Sequence, residues 1–299
     1  MMLRRRWSSK RPPSHRRSQD GFALVSVIWA IGLIAILFAT YIATARYRLV
    51  EATHLLERAR AEGLAQAAVN LGLLDLLEKR SHAGSSGRGR WNGSSVHCTL
   101  GGSRMRILVT DEGGKIDLNN ATQDLLAAVI GRVSPDRGTT ALIVGEIMNR
   151  REVAAEAQRA RGLAHPDAPT FRTLFELDQL PGMNRSLLQT LRPMLTVHSG
   201  SAGFDPQVAP PAILATLGTG GRSISRAEAA GSLPASYLAT SPSKVFQISG
   251  EVVTGSGTLL SQEAIVEFSA EAPYEYTIRE WRTGGRSVFT PDRSAVPPC

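Results

Sequence analysis

The chain has 299 residues, 42% hydrophobic and 20% charged, with two cysteines and a formal charge of +8. That apolar share can bury a core, which excludes wholesale disorder; two cysteines exclude both a disulfide framework and a four-thiolate metal site. The positive charge is local: Arg4, Arg5, Arg6, Lys10, Arg11, Arg16 and Arg17 stand against Asp20 alone, so residues 1–20 carry +6 and the other 279 carry +2. A nucleic-acid-binding body needs its basic patch on the folded domain, and composition supplies none.

Behind the basic segment, Phe22 to Ala43 is apolar, and no charge falls between Gly21 and Ala45. Twenty-two helical residues span roughly 33 Å, enough for a bilayer core. The excess of arginine on the N-terminal side places residues 1–20 in the cytoplasm and the rest across the membrane, which in a Gram-negative cell is the periplasm. Three readings compete: a permanent single-pass anchor; a secretory signal cut near Ala43-Thr44-Ala45; and a leader cut before the apolar segment, between Gly21 and Phe22. Signal h-regions hold about 7–15 residues, too few for this run. Gly followed by Phe after a basic leader resembles the prepilin peptidase site of type IV pilins and pseudopilins, and the third reading is favoured.

Residues 22–80 contain no proline, so one helix of nearly sixty residues is expected. Its second half carries an apolar stripe at three- and four-residue steps: Leu49, Ala52, Leu56, Ala59, Gly63, Ala67, Leu71 and Leu74. That stripe is expected to face the soluble domain. Ser81 to Ser95 is Ser/Gly/Arg-rich and reads as a loop. Val96–Leu100 and Arg104–Thr110 alternate about Gly101-Gly102, a hairpin signal. Asp111-Glu112-Gly113-Gly114 reads as a turn, and 122–193 as mostly helical, with runs at 124–133, 139–158, 173–180 and 186–191. Val245–Val253 and Leu259–Ser269 flank Gly255-Ser256-Gly257 as a second hairpin, and Tyr274–Trp281 alternates again. The tail, Ser287–Cys299, is Pro/Ser/Arg-rich and reads as loose.

Four features together resemble the type II secretion minor pseudopilin K family, also called general secretion pathway protein K. They are the Gly21/Phe22 junction with its apolar helix; Asp111-Glu112-Gly113-Gly114-Lys115-Ile116-Asp117-Leu118-Asn119; Phe175-Glu176-Leu177-Asp178-Gln179-Leu180-Pro181-Gly182-Met183; and Ala209-Pro210-Pro211-Ala212-Ile213-Leu214-Ala215-Thr216-Leu217. The resemblance covers residues 16 to about 282. It implies an α+β, type IV pilin-like fold: a long N-terminal helix packed on a small antiparallel sheet, with a large inserted all-helical domain. The implied organisation is a cleaved leader (1–21), the N-terminal helix (22–80, transmembrane over 22–43), the pseudopilin domain in two parts (81–118 and 194–285) around a helical insertion (119–193), and a flexible tail (286–299). The implied role is a non-enzymatic tip subunit of the pseudopilus that initiates assembly and helps export folded proteins. Implied partners are the I and J minor pseudopilins, the major pseudopilin, prepilin peptidase and the inner-membrane assembly platform. Gly21 and Phe22 would be the processing residues, with Phe22 N-methylated.

Two departures stand out. The Asn-rich approach usual in the family is here Phe204-Asp205-Pro206-Gln207-Val208. Counting from Phe22, the fifth residue is Ser26, where most pilins carry a Glu that neutralises a neighbour's new amino terminus. A subunit with none ahead of it has no amine to pair, and a buried unpaired carboxylate is costly; the Ser fits a place at the tip.

Other chemistry was weighed residue by residue. Asp111, Glu112 and Asp117 are candidate Ca²⁺ ligands, although that ion needs about 6–8 oxygens; the alternative is a solvated turn capped by Asp. Leu180-Pro181-Gly182 resembles a helix-hairpin-helix DNA element with Arg185 and Arg192 in reach of phosphate, which gives the competing reading of a competence-type pseudopilin binding DNA through residues 111–192. Two arginines release few counterions. The six histidines show no metal-ligand helical spacing, and Gly218-Thr219-Gly220-Gly221 follows a helix pattern, not the strand a phosphate cradle requires. No catalytic constellation is present. Cys98 and Cys299 either pair in an oxidising periplasm or remain two thiols.

Overall fold

The computed structural model describes residues 20–81, 92–162, 169–218, 223–269, 275–283 and 297–299. The basic leader, most of the Ser/Gly/Arg-rich loop, Thr219-Gly220-Gly221 and most of the tail lie outside the described residues. The chain divides into two units, residues 1–56 and 57–299.

A single helix, α1 (Asp20–Ser81), realises the proline-free stretch. Within the second unit the sequence builds five antiparallel strands in the order β1-β2-β5-β6-β7. β1 (Asn92–Leu100) and β2 (Ser103–Asp111) form the first hairpin. Gly101 and Gly102 both take positive φ, at 58° and 76°, the backbone that a two-residue turn matched to strand twist demands. β5 (Val245–Val253) and β6 (Leu259–Phe268) form the second, closed where Thr254 N–H donates to Thr258 O at 3.0 Å, and β7 (Tyr276–Thr283) adds the outer strand.

The sequence between β2 and β5 folds as a second core, while the strands on either side of it are direct neighbours. Asp111 faces Phe246 and Arg104 faces Val253 in one continuous antiparallel register. The intervening chain makes β3 (Ile116–Asp117), α2 (Gln123–Val133), α3 (Arg137–Ala160), α4 (Arg185–Leu191), β4 (Leu195–Thr196), α5 (Pro211–Leu217) and α6 (Arg226–Ser232). The helix starts are written locally. Thr122, Asp136, Asn184 and Ser225 each accept a backbone N–H of the first turn, and Pro211 opens α5. The stretch expected to be helical over 173–180 is a 3-10 helix, Leu174–Gln179. β3 and β4 pair in parallel, Ile116 with Leu195.

Each core has its own side chains. Leu125, Leu126, Val129 and Ile130 of α2 meet Ile143 and Ile147 of α3, Leu188 and Leu191 of α4, and Ile213 and Leu214 of α5. This core continues past residue 193, where the sequence reading ended the insertion, through α6 to Tyr237. The other core lies between the sheet and residues 61–77 of α1: Ala65, Ala68, Val69, Leu73 and Leu76 cover Met105, Ile107, Phe246, Ile248, Val266 and Phe268. The stripe expected from the sequence meets this core only in part: Ala67 and Leu71 pack at its margin while Gly63 and Leu74 are exposed, and the buried face is Ala61, Ala65, Ala68, Val69, Gly72, Leu73 and Leu76. Small residues win because they let the helix approach. A Cβ on Gly72 would sit 2.6 Å from Ile248 Cγ2, and one on Gly250 of β5 would sit 2.7 Å from both Ala65 O and Ala68 Cβ.

Candidate functional site

The sequence reads Asp111–Gly114 as a turn, and Asp111, Glu112 and Asp117 as candidate cation ligands or a solvated turn capped by Asp. This segment is neither solvated nor convergent. Asp111, Glu112, Lys115 and Asp117 are all buried, and each latches a distant part of the chain. Asp111 ends β2 and caps the 3-10 turn Glu112–Gly114. Its Oδ1 accepts from Gly113 N–H at 2.8 Å and from Ser241 Oγ at 2.8 Å, and its Oδ2 accepts from Ser243 Oγ at 3.0 Å. The carboxylate at the point of departure thus holds the segment that leads back into β5. Arg80, near the end of α1, donates to Ser243 O at 2.7 Å and lies over the Phe268 ring at 4.4 Å, so the helix end joins the same knot. Burial pushes the Asp111 carboxyl above the usual carboxylate range, with Glu112 adding to the shift; hydrogen bonds from Ser241, Gly113 and Ser243 oppose it.

Glu112 and Lys115 form a buried ion pair at 2.5 Å. Thr196 of β4 donates to Glu112, and Lys115 donates to Gln247 of β5, so the pair ties the helical core to the sheet. Asp117 accepts from Asn119 N–H at 2.7 Å, from Gly200 N–H at 2.8 Å and from Ser199 Oγ at 3.1 Å. Asn119 in turn accepts from Phe171 N–H at 2.8 Å and donates to Phe171 O at 3.0 Å. Arg151 of α3 closes the motif, donating to Leu118 O and Ala121 O at 2.7 Å each. Side chains on Gly113 and Gly114 would collide with Ser241 and with the Val208 backbone. Those glycines are required by the close approach of the returning chain.

Asp111, Glu112 and Asp117 turn their oxygens to three separate sets of protein donors. Among the described residues no group of three His, Cys, Asp or Glu could hold a metal ion. The residues present do not fit the ion. The sequence motif is a fastening that commits each polar side chain to a different neighbour. Sequence reasoning named its residues but missed Ser241, Ser243, Arg151 and Gln247, which reach it from far along the chain.

The polar face of the sheet continues this fastening. Glu263 accepts from Arg282 Nε at 2.8 Å and lies 3.4 Å from Arg192, the residue after α4. Arg282 also pairs with Glu280 at 2.7 Å, and His198 lies 3.6 Å from Glu280. Arg192 is further engaged over the Phe175 ring at 5.1 Å. One of the two arginines proposed for DNA phosphate is thereby occupied within the protein. The Leu180-Pro181-Gly182 turn places Gly182 at φ 83° before Asn184, which caps α4, a structural helix start.

The N-terminal unit shows the opposite character. The Gly21–Phe22 bond lies in the first turn of α1. From Phe22 to Ile42 the large apolar side chains are exposed, Phe22 by 78% and Trp29 by 77%. α1 is long and apolar enough to cross a membrane, and these side chains need an apolar medium. Ser26 donates to Ala23 O at 2.9 Å, so its hydroxyl is satisfied within its own helix.

Cys98 and Cys299 form a disulfide, which resolves the two alternatives left open by the sequence. Residues 297–299 are not loose. Pro298 bridges Thr99 in parallel, with Thr99 N–H donating to Pro297 O at 2.8 Å and Cys299 N–H donating to Thr99 O at 3.1 Å.

No family model matches this chain, and no curated protein matches it. Among solved structures it is similar to a chain of the crystal structure of the GspK-GspI-GspJ complex from the enterotoxigenic Escherichia coli type 2 secretion system. That likeness has 16% sequence identity and a TM-score of 0.48, and covers 81% of this chain and 99% of that one.

Proposed function

We propose that this chain is a K-type minor pseudopilin of type II secretion, a structural subunit that sits at the tip of the pseudopilus, initiates its assembly and helps folded proteins leave the periplasm. One observation carries the reading: the exposed apolar residues 22–42 of α1 are followed along the chain by a small antiparallel sheet, with a separate helical core inserted between two of its adjacent strands.

Each part has a physical task in this account. The basic leader holds the newly made chain at the cytoplasmic face with the soluble domain outside. Prepilin peptidase removes residues 1–21, discards that charge and methylates the amine of Phe22. The apolar helix is then free to exchange lipid for the helices of other pseudopilins, the I and J minor subunits first and the major pseudopilin below. Ser26, self-satisfied, asks for no amine from a subunit ahead of it. The bulk of the helical core blocks further addition, so the subunit starts a filament that the inner-membrane platform extends.

The mass of the mature N-terminus tests the reading. A chain that begins at N-methyl-Phe22 supports it; one that begins near Arg46 defeats it. In cells, replacing Gly21 by a bulky residue should leave the leader attached and abolish export of the system's substrates, and undiminished export refutes the assignment.

A further inference from the structure

We propose that the segment Pro297–Cys299 is a redox-dependent latch on the outer edge of the sheet: with the Cys98–Cys299 disulfide formed it covers β1 at Thr99, and with the disulfide reduced that edge opens while the sheet stays folded.

The argument starts from the edge itself. β1 is the terminal strand of the sheet and pairs with β2 on one side only. A strand in that position presents backbone donors and acceptors outward, a template for pairing with another chain. At Thr99 both outward groups are taken by residues 297–299: its N–H donates to Pro297 O at 2.8 Å and its carbonyl accepts from Cys299 N–H at 3.1 Å. The Thr99 hydroxyl adds a donation to Pro297 O at 3.3 Å. Pro298, with no N–H, faces Thr99 as a residue that ends further strand addition.

The hydrogen bonds cannot hold this cover by themselves. Each is worth little net of the water it displaces, and fixing these three residues costs conformational entropy for every one of them. The covalent bond makes the contact local. Cys98 is buried in the sheet core beside Met105, next to Thr99, and anchors Cys299 there across a sequence separation of 201 residues. The anchor is peripheral to the rest of the core. β2, β5 and β6 pair without it, and residues 61–77 of α1 cover those strands. Breaking it therefore releases the tripeptide and leaves the sheet. A dithiol reductant supplies two electrons and two protons, the S–S bond breaks, thiols appear on Cys98 and Cys299, and the reductant closes to its own cyclic disulfide.

Amide hydrogen exchange on the full chain in detergent micelles decides the matter, comparing the oxidised protein, the protein after dithiothreitol, and the variant Cys299→Ser. The latch requires at least a tenfold faster exchange of the Thr99 amide in the reduced protein and in the variant, with the Met105 and Ile248 amides unchanged. Unchanged protection of Thr99 on reduction overturns it, because the tail then holds without the bond. Loss of protection at Met105 and Ile248 together with Thr99 also overturns it, because the disulfide is then a staple of the whole sheet.

Discussion

Gly63 and Gly72 lie on one helix, and the same substitution should move stability in opposite directions at the two positions. Gly63 has nothing within 4 Å of where a Cβ would stand. Gly63→Ala therefore adds only helix propensity, about 0.8–1.0 kcal/mol of stabilisation. At Gly72 the new Cβ would lie 2.6 Å from Ile248 Cγ2, 3.1 Å from Ile107 Cγ2 and 3.5 Å from Val109 Cγ2. Carbon atoms rest at about 3.5–4.0 Å, so the helix and β5 must separate by about 1 Å or Ile248 must leave its rotamer, which its β-branch resists. Overpacking of that kind costs about 1–3 kcal/mol. The propensity gain is common to both variants and cancels in their comparison, so Gly72→Ala should be less stable than Gly63→Ala by about 1–3 kcal/mol. The measurement is the guanidinium midpoint of the full chain in micelles, followed by near-ultraviolet dichroism, with the m-value held as a control. Equal midpoints, or a higher one for Gly72→Ala, would show that this face of α1 does not rest on the sheet.

Lys115→Met removes the cation from the buried pair with Glu112 and should cost about 3–5 kcal/mol. The double variant Glu112→Leu/Lys115→Met should recover most of that loss in the same denaturation assay, and a double variant as unstable as the single would show that the charge itself is not the penalty. Asp111 sets a pH dependence. Its folded carboxyl titrates above the ordinary value of 3.8, so its stabilising contribution is full below that pH and is lost as pH rises through the folded value. The stability of the natural chain relative to Asp111→Asn should thus fall with rising pH across that window; a difference that grows with pH contradicts burial as the cause. Arg151→Met strips the donors from Leu118 O and Ala121 O and should cost about 1–3 kcal/mol, read as a lower midpoint. In a DNA mobility assay Arg185→Ala and the natural chain should behave alike, neither retarding duplex at moderate salt; a salt-sensitive shift would restore the DNA-binding alternative.

The elements whose cause is local were legible. Two consecutive glycines between alternating runs specify the first hairpin, and the helical runs expected at 124–133, 139–158 and 186–191 lie within α2, α3 and α4. The stripe on α1 is only partly realised: Ala67 and Leu71 pack on the core, but the fully buried face lies beside them on the helix. Against a sheet the decisive property was smallness, and the clue was Gly72, a helix-interior glycine that has a packing reason where Gly63 has none. The helical core runs on past residue 193 because α5 and α6, seven residues each, are held by packing on α2 and its neighbours. The acidic motif read as surface because its residues are polar. Only the fold reveals that Ser241, Ser243, Thr196 and Gln247 are brought to it as partners. The disulfide was hidden by a tail composition that signals looseness.

Asp111 and Phe246 stand opposite one another on the same rung of the ladder, and this has a consequence for how such a chain could be taken apart. The whole helical block enters and leaves through a single doorway. Joining the two strands there with a short turn would convert them into an ordinary hairpin, with no strand rethreaded and no neighbour exchanged. The surface uncovered would bear Gln247, Glu263 and Arg282 together with Ile265, which is buried in the intact chain. The block is thus an insertion between two strands that pair along their full length without it.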